Sequence, residues 1–266
     1  MKHIVVINTS PNHIDWAINL LDALILIDPT FEVINESSKV VFVVNNASDF
    51  GDLLDKTDQK RVCEDFIVRA KNKVDVLYNI SGGFELGSLR FAYNFYKDTS
   101  VERFTLLQTT TVIHDTRFFT WAENVDVPAS VMGSRQCYMI TLSKEQISRI
   151  PEMVWNNKYP DNEEARRLYK DMLYDKNCER ITTKVDSVHN ESCFIISLTN
   201  AFGAFKSHLL GLRSWQEEKC GRINNVEAFG EDQSIYISKW RGYWGSNARD
   251  VWDFIQRNPR TTQHDF

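Results

Sequence analysis

The amino-acid sequence predicts an α/β fold: a Rossmann-like, mostly parallel sheet flanked by helices, with a more variable C-terminal half. Three observations lead there. Short β-branched runs alternate with segments of helical spacing through residues 1–125. Those runs are apolar almost without interruption, as expected of parallel strands covered on both faces by crossover helices. Finally, each of the early runs stops on small polar residues.

The first strand is expected at residues 4–8, Ile-Val-Val-Ile-Asn. Residues 14–27 follow with Ile14, Ala17, Ile18, Leu21, Leu24 and Ile25 on one helical stripe. A second buried strand is read at 40–44, a longer helical stretch at 52–71 and a third strand at 74–78. A helix at 86–96 and a fourth strand at 104–107 complete the β-α alternation. Beyond about residue 126 the pattern loosens. A strand is expected at 137–142, a helix at 163–173 capped by Asp161 after Pro160, a strand at 193–198 and a helix at 205–218. No repeat or low-complexity linker divides the chain, so residues 1–266 are read as one domain, with halves at 1–125 and 126–266.

Bulk properties narrow the classes of function. With 42% hydrophobic and 25% charged residues the chain is ordinary for a globular protein and long enough to bury a sizeable core. A formal charge of −5 provides no global basic field, so any contact with nucleic acid or an anionic membrane needs a local patch. The cysteines, Cys63, Cys137, Cys178, Cys193 and Cys220, are odd in number, scattered and free of C-x-x-C spacing, which suits neither a disulfide framework nor a zinc site. A reducing cytoplasm is the expected location, host cytoplasm if the chain is viral. The most apolar stretch, residues 16–27, is too short to span a bilayer and is broken by Asn19 and Asp22.

The polar strand ends are Asn8-Thr9-Ser10, Asn45-Asn46, Asn79 with Ser81, and Gln108-Thr109-Thr110. In open α/β sheets ligands bind beyond the carboxyl ends of the strands, so these amides and hydroxyls are expected to line one crevice. The third of them opens the most unusual segment, Asn79-Ile80-Ser81-Gly82-Gly83-Phe84-Glu85-Leu86-Gly87-Ser88-Leu89-Arg90, which follows a strand and begins a helix. Gly82 and Gly83 permit a close backbone approach, the free N–H groups of the helix start favour an anion, and Arg90 can reach back to a phosphate.

The run Asn-x-x-Gly-Gly-Phe-Glu-x-Gly-Ser-x-Arg resembles the N-x-GG-[FY]-D-x-GA-x-[KR] signature of glycosyltransferases with the GT-A fold, particularly the rhamnan-synthesis F type and related viral enzymes. Two further blocks are similar to the same family, in the same order. Residues 104–115, ending Gln108-Thr109-Thr110-Thr111-Val112-Ile113-His114-Asp115 before Phe118-Phe119, resemble its L-x-x-Q/N-D-[ST] strand end; Ile237-Ser238-Lys239-Trp240-Arg241-Gly242-Tyr243-Trp244 resembles its closing K-[YW]-K-G-x-W stretch. The resemblance implies transfer of a sugar from a nucleotide-sugar donor, a UDP-sugar first, to a hydroxyl acceptor, most simply a glycan. It implies that Thr9, Ser10 and Asn45 face base and ribose, that Asn79 and Arg90 face ribose and diphosphate, and that Lys239 meets the diphosphate. Trp244 would cover a sugar, with Gly82, Gly83, Gln108, Thr109 and Thr110 also at the donor.

One departure bears on mechanism. GT-A enzymes present an acidic D-x-D triplet at the strand end to hold a divalent cation, and Gln108-Thr109-Thr110 offers no carboxylate to Mg²⁺ or Mn²⁺. The expectation is therefore that the metal is dispensable and that Arg90 and Lys239 supply the charge, with Asp115 the acidic alternative if a metal binds. The His114-Asp115 pair reads as a turn and helix cap. The acceptor's base is not singled out. Asp161, Glu163 and Glu164 form one acidic cluster and Glu227, Glu231 and Asp232 another; Asp232 and Asp161 are the candidates. Trp240, Arg241, Tyr243, Trp244, Arg249, Trp252, Arg257 and Arg260 interleave cations with aromatics, which suits a hydroxymethylated base in DNA as a second acceptor. A catalytically inactive nucleotide-sugar-binding protein is the third reading. A nicotinamide dehydrogenase is disfavoured because Asn8-Thr9-Ser10-Pro11-Asn12 has no glycine, and no G-x-S-x-G elbow supports a serine nucleophile.

Overall fold

A computed structural model describes residues 2–56, 58–81, 84–132, 137–150, 206–209, 215–219, 222–230 and 235–241. Strand β1 (His3–Thr9) leads through a 3-10 turn, Pro11–His13, into helix α1 (Ile14–Ile27); α2 (Glu32–Ser37) then feeds β2 (Ser38–Asn45). Next come α3 (Phe50–Lys56), α4 (Lys60–Ala70), β3 (Asp75–Asn79), α5 (Phe84–Tyr96), β4 (Arg103–Gln108) and the short β5 (Thr111–Ile113). The rest comprises α6 (Arg117–Asn124), β6 (Ala129–Met132), β7 (Cys137–Ser143), α7 (Lys144–Ser148), β8 (Lys206–Leu209), β9 (Trp215–Lys219), β10 (Arg222–Phe229) and β11 (Ile237–Arg241).

Among the described residues, seven strands form the main sheet in the order β3-β2-β1-β4-β7-β6-β8. The first four run parallel; β7 is antiparallel to both its neighbours, and β8 is parallel to β6. Four described strands form a second, antiparallel sheet in the order β5-β11-β10-β9. The molecule is thus mixed α/β, with a mostly parallel central sheet flanked by helices.

Side-chain alternation along the parallel strands sends two apolar layers in opposite directions. Val5, Ile7, Phe42 and Val44 pack with Leu21 and Leu24 of α1, Phe66 of α4 and Phe118 of α6. Ile4, Val6, Val41 and Val43 pack on the other face with Leu86, Leu89 and Ala92 of α5. A polar ladder crosses the first face at the amino end of the strands. His3 bonds Ser38 Oγ at 2.6 Å and Thr105 Oγ1 at 2.7 Å, and Thr105 Oγ1 bonds Thr141 Oγ1 at 2.8 Å. His3 is 0% exposed, and burial, helped by the Arg103 charge, lowers its pKa to about 3, so it is neutral there.

Several expectations need correction. The stretch 52–71 is two helices, α3 and α4, because the polar pair Asp58-Gln59 interrupts it; Gln59 is the N-cap of α4 with non-helical backbone angles. Residues 205–218, expected as a helix, contain β8 and the start of β9. Local apolar spacing there is overridden by ladders to β6 and β10, a tertiary gain that outweighs propensity. Residues 111–113, which follow the Gln108-Thr109-Thr110 strand end, form strand β5, paired with β11. The helix expected at 163–173 and the strand expected at 193–198 lie outside the described residues.

Candidate functional site

The parallel strands end along one edge. Asn8 of β1 stands in register with Gln108 of β4, and Asn45 of β2 with Asn79 of β3. Alternation puts Asn8, Asn45 and Asn79 on the face that α5 covers, where Ser88 meets them.

These four side chains form a directed relay. Asn79 Nδ2 donates to Asn45 Oδ1 at 2.6 Å. Asn45 Nδ2 donates to Asn8 Oδ1 at 2.6 Å and to Ser88 Oγ at 2.8 Å, and Ser88 Oγ donates to Asn8 Oδ1 at 2.9 Å. Asn45 and Asn79 are only 2% and 4% exposed, so their amides are satisfied by protein hydrogen bonds rather than water. A buried polar set of this kind holds one arrangement of the strand ends when every link is made. The relay also reaches the glycine segment, since Asn79 Oδ1 accepts the Ser81 N–H at 3.2 Å. Asn46, at a left-handed φ of 61° that asparagine tolerates, turns the chain after β2 and donates its N–H to Asn79 O at 2.8 Å.

The remaining strand-end residues have their own partners. Thr9 is buried and donates Oγ1 to His13 O at 3.2 Å, while Ser10 Oγ bonds His13 Nδ1 at 2.8 Å, so both brace the β1–α1 turn. Gln108, Thr109 and Thr110 are partly buried where the chain leaves the main sheet for the small one. Arg90 is partly buried on α5, in the second turn from Phe84. Lys239 on β11 stands in register with Thr111 of β5 and with Glu227 of β10, so the sheet brings its backbone to the turn that follows Gln108. The Lys239 side chain, Gly82, Gly83, Asp161, Glu163, Glu164, Glu231, Asp232 and Trp244 lie outside the described residues.

His114 and Asp115 part company. His114 is 6% exposed, bonds Ser238 Oγ through Nε2 at 2.6 Å and donates its backbone N–H to Tyr236 O at 2.9 Å. Burial lowers its pKa to about 3. Asp115 accepts the Arg117 backbone N–H at 2.9 Å and the Arg117 guanidinium on both carboxylate oxygens. Partial burial pulls this carboxyl upward, but the hydrogen bonds from the Arg117 side chain and backbone outweigh it and leave it below the usual range.

An amide, hydroxyls and a carboxylate already closed on Arg117 do not fit the oxygen-rich, carboxylate-bearing shell of Mg²⁺ or Mn²⁺. Among the described residues no group of three His, Cys, Asp or Glu side chains is placed to hold a metal ion, and no helix is long and apolar enough to cross a membrane.

Two residues of this edge escaped the sequence reading. Ser88 was legible only as a hydroxyl in the segment 79–90, inside a helix, where serine is neutral to unfavourable on its own. Thr111 was hidden in a run of three threonines.

Fold and strand ends together define a mixed α/β protein with a hydrogen-bonded set of polar side chains at the carboxyl edge of its sheet. No protein-family model and no curated protein sequence matches the chain. Among solved structures it is similar to the glycosyltransferase GlyE of Streptococcus pneumoniae, at 9% identity and a TM-score of 0.39 over 79% of this chain and 45% of that one. It is similar to TarS of S. aureus, at 13% identity and a TM-score of 0.37 over 77% of this chain and 44% of that one. An active-site mutant of LgtC aligns at 8% identity and a TM-score of 0.37 over 71% of this chain and 69% of that one. The chain spans less than half the length of the GlyE and TarS structures. Likenesses this distant leave activity to be argued from the residues.

Proposed function

We infer that the protein is a GT-A-type glycosyltransferase that moves a sugar from a nucleotide-sugar donor, a UDP-sugar first, to a hydroxyl of a glycan. What supports this is the convergence of three blocks far apart in sequence. The glycine segment enters α5 after β3, the Gln108-Thr109-Thr110 turn joins β4 to β5, and β11, which carries Lys239, pairs with β5. Each block resembles its counterpart in that family; the first two follow strands β3 and β4 at the carboxyl edge of the main sheet, and the third pairs with β5 just after that edge.

In the reaction the acceptor oxygen forms a bond to the anomeric carbon, the bond from that carbon to the diphosphate oxygen breaks, and the acceptor proton passes to a base. The departing diphosphate gains negative charge, which preorganised cations stabilise. Arg90 and Lys239 take that role without a divalent metal. Asn79 and Asn45 hold the strand ends through the relay, with Thr9, Ser10, Gly82, Gly83, Gln108, Thr109 and Thr110 around the donor and Trp244 over a sugar. The bases to test are Asp232, which shortly precedes β11 in the chain, and Asp161.

A thermal-shift screen of UDP-, GDP- and dTDP-sugars tests the donor, since a ligand of the native state raises apparent stability once its concentration exceeds its dissociation constant. Absence of a shift with every nucleoside diphosphate would falsify the reading. Transfer that is lost in EDTA and restored by Mn²⁺ would remove its metal-independent part.

A further inference from the structure

The segment that leaves β2 is fastened at one residue from two sides. Asn46 donates its backbone N–H to Asn79 O at 2.8 Å, and its carbonyl accepts from Lys56 Nζ of α3 at 3.1 Å. Its φ of 61° lies in the left-handed region, where glycine is the least strained residue and asparagine is tolerated. The backbone alone would be served by glycine. The asparagine side chain is exposed and makes no hydrogen bond among the described residues, so no bond to the fold accounts for it.

The flanking residues fix where that side chain stands. Asn45 is buried in the relay on the face that α5 covers, and Ala47, 0% exposed, belongs to the opposite layer with Phe42 and Val44. Between the two, Asn46 occupies the tip of β2, which lies in the sheet between β1 and β3, and its exposed amide faces out beyond the row of strand ends. Apolar surface is left open on the same segments. Phe50, 43% exposed, sets its ring 4.9 Å from that of Tyr78 in an edge-on contact near the end of β3, and Ile80, 72% exposed, follows Asn79. These two residues belong to the two segments that the Asn46–Asn79 bond joins.

We propose that Asn46 recognises the base of the nucleotide donor. Its Nδ2 donates to a ring carbonyl and its Oδ1 accepts the adjoining ring N–H, the complement of the imide edge of uracil. Phe50 and Ile80 add apolar surface that suits a planar ring and not a bare anion. The assignment rests on the donor-binding reading of the strand ends and moves the base contact from Asn45, whose amide is taken up by Asn8, Ser88 and Asn79, to the next residue. An amide carried on a backbone pinned in advance loses little on binding.

The test uses the full chain and its Asn46→Gly and Asn46→Asp variants, titrated calorimetrically with UDP, GDP, dTDP and inorganic pyrophosphate. Wild type is expected to bind UDP more tightly than GDP. Asn46→Gly keeps the left-handed turn and removes the amide; it is expected to bind UDP about tenfold more weakly and pyrophosphate as wild type does. Asn46→Asp still accepts the uracil N–H but sets a carboxylate against the ring carbonyl, whereas two acceptor oxygens suit the paired N–H donors of guanine. The ratio of UDP to GDP affinity is therefore expected to fall about tenfold, and this variant carries the test if the glycine variant does not fold. An asparagine that only makes the turn predicts titrations of Asn46→Gly identical to wild type. Unchanged UDP affinity in Asn46→Gly, an equal loss for UDP and pyrophosphate, an unchanged ratio in Asn46→Asp, or a wild type that prefers GDP overturns the Asn46 assignment and leaves the donor-binding reading standing. Failure of wild type to bind any of the three nucleotides overturns both.

Discussion

Replacing Asn45 cuts the relay at its middle. In the folded protein Asn45 accepts from Asn79 and donates to Asn8 and to Ser88, all within 2.6–2.8 Å, and it is 2% exposed. Asn45→Ala leaves one Asn79 N–H without this acceptor in a site only 4% exposed, for about 1–3 kcal/mol, and forfeits two donated bonds at about 1 kcal/mol each. Relaxation and water entry recover part of this, so the expected loss is about 2–4 kcal/mol. That corresponds to roughly 5–15 °C in melting temperature for a domain of this size. Asn45→Asp has nearly the same volume and separates hydrogen bonding from packing. A carboxylate still accepts from Asn79 but faces Asn8 Oδ1 with no hydrogen to offer, so its folded-state pKa is raised. The deficit of Asn45→Asp relative to wild type should then be largest above neutral pH and shrink on acidification, as protonation returns one donor. Urea denaturation of wild type and both variants at about pH 8, 7 and 6 reads these differences as midpoints at constant slope. An Asn45→Ala loss below about 1 kcal/mol, or an Asn45→Asp deficit independent of pH, refutes the claim that the relay fastens the strand ends.

Three other outcomes are expected. His3 and His114 are both buried and held at about 3, against 6.5 when unfolded, so the unfolded chain takes up protons first; their stabilisation is complete above 6.5 and is lost as pH falls from there toward 3. Each histidine should cost about 2 kcal/mol at about pH 5, measurable as a falling urea midpoint, and a flat profile contradicts neutral burial. Phe66→Ala, which empties a fully buried site where the ring meets Phe42 edge-on at 5.4 Å between centroids, should lose about 3–5 kcal/mol in the same assay. If Lys239 meets the leaving diphosphate, Lys239→Ala should lower kcat by about 10²–10³ with a smaller change in KM, and an equal rise in KM with kcat intact would place it elsewhere.

The first half of the fold was legible because burial on both faces leaves an unmistakable record. Val40 to Val44 can only be an interior strand, and the stripe from Ile14 to Ile25 matches the length of α1. The small sheet left no such record. β5 has three residues, and the apolar residues of 205–218 fit helical spacing until ladders to β6 and β10 decide otherwise. At the site, Asn8, Asn45 and Asn79 were visible as polar strand ends, but not their bonds to one another, which join residues 34 and 37 positions apart. They were expected against a ligand, whereas in the structure their amides hold one another. Thr111 could not be told from Thr109 and Thr110 until β5 showed which of the three is sealed inside.

Strand β11 is the last of the described strands yet lies in the middle of the small sheet, between β5 and β10. During synthesis, β5 must wait for the whole stretch from His114 to Tyr236 before its partner exists. A chain cut before Ile237 does not lose a dispensable edge: β5 is stranded on one side and the β9–β10 hairpin on the other. The core around β1 itself includes Phe229, Tyr236 and Ile237, and the wall beside Thr111 is finished only when translation has passed Arg241. Such an order couples completion of the small sheet to synthesis of β11, so that chains interrupted before it emerge without the wall beside Thr111.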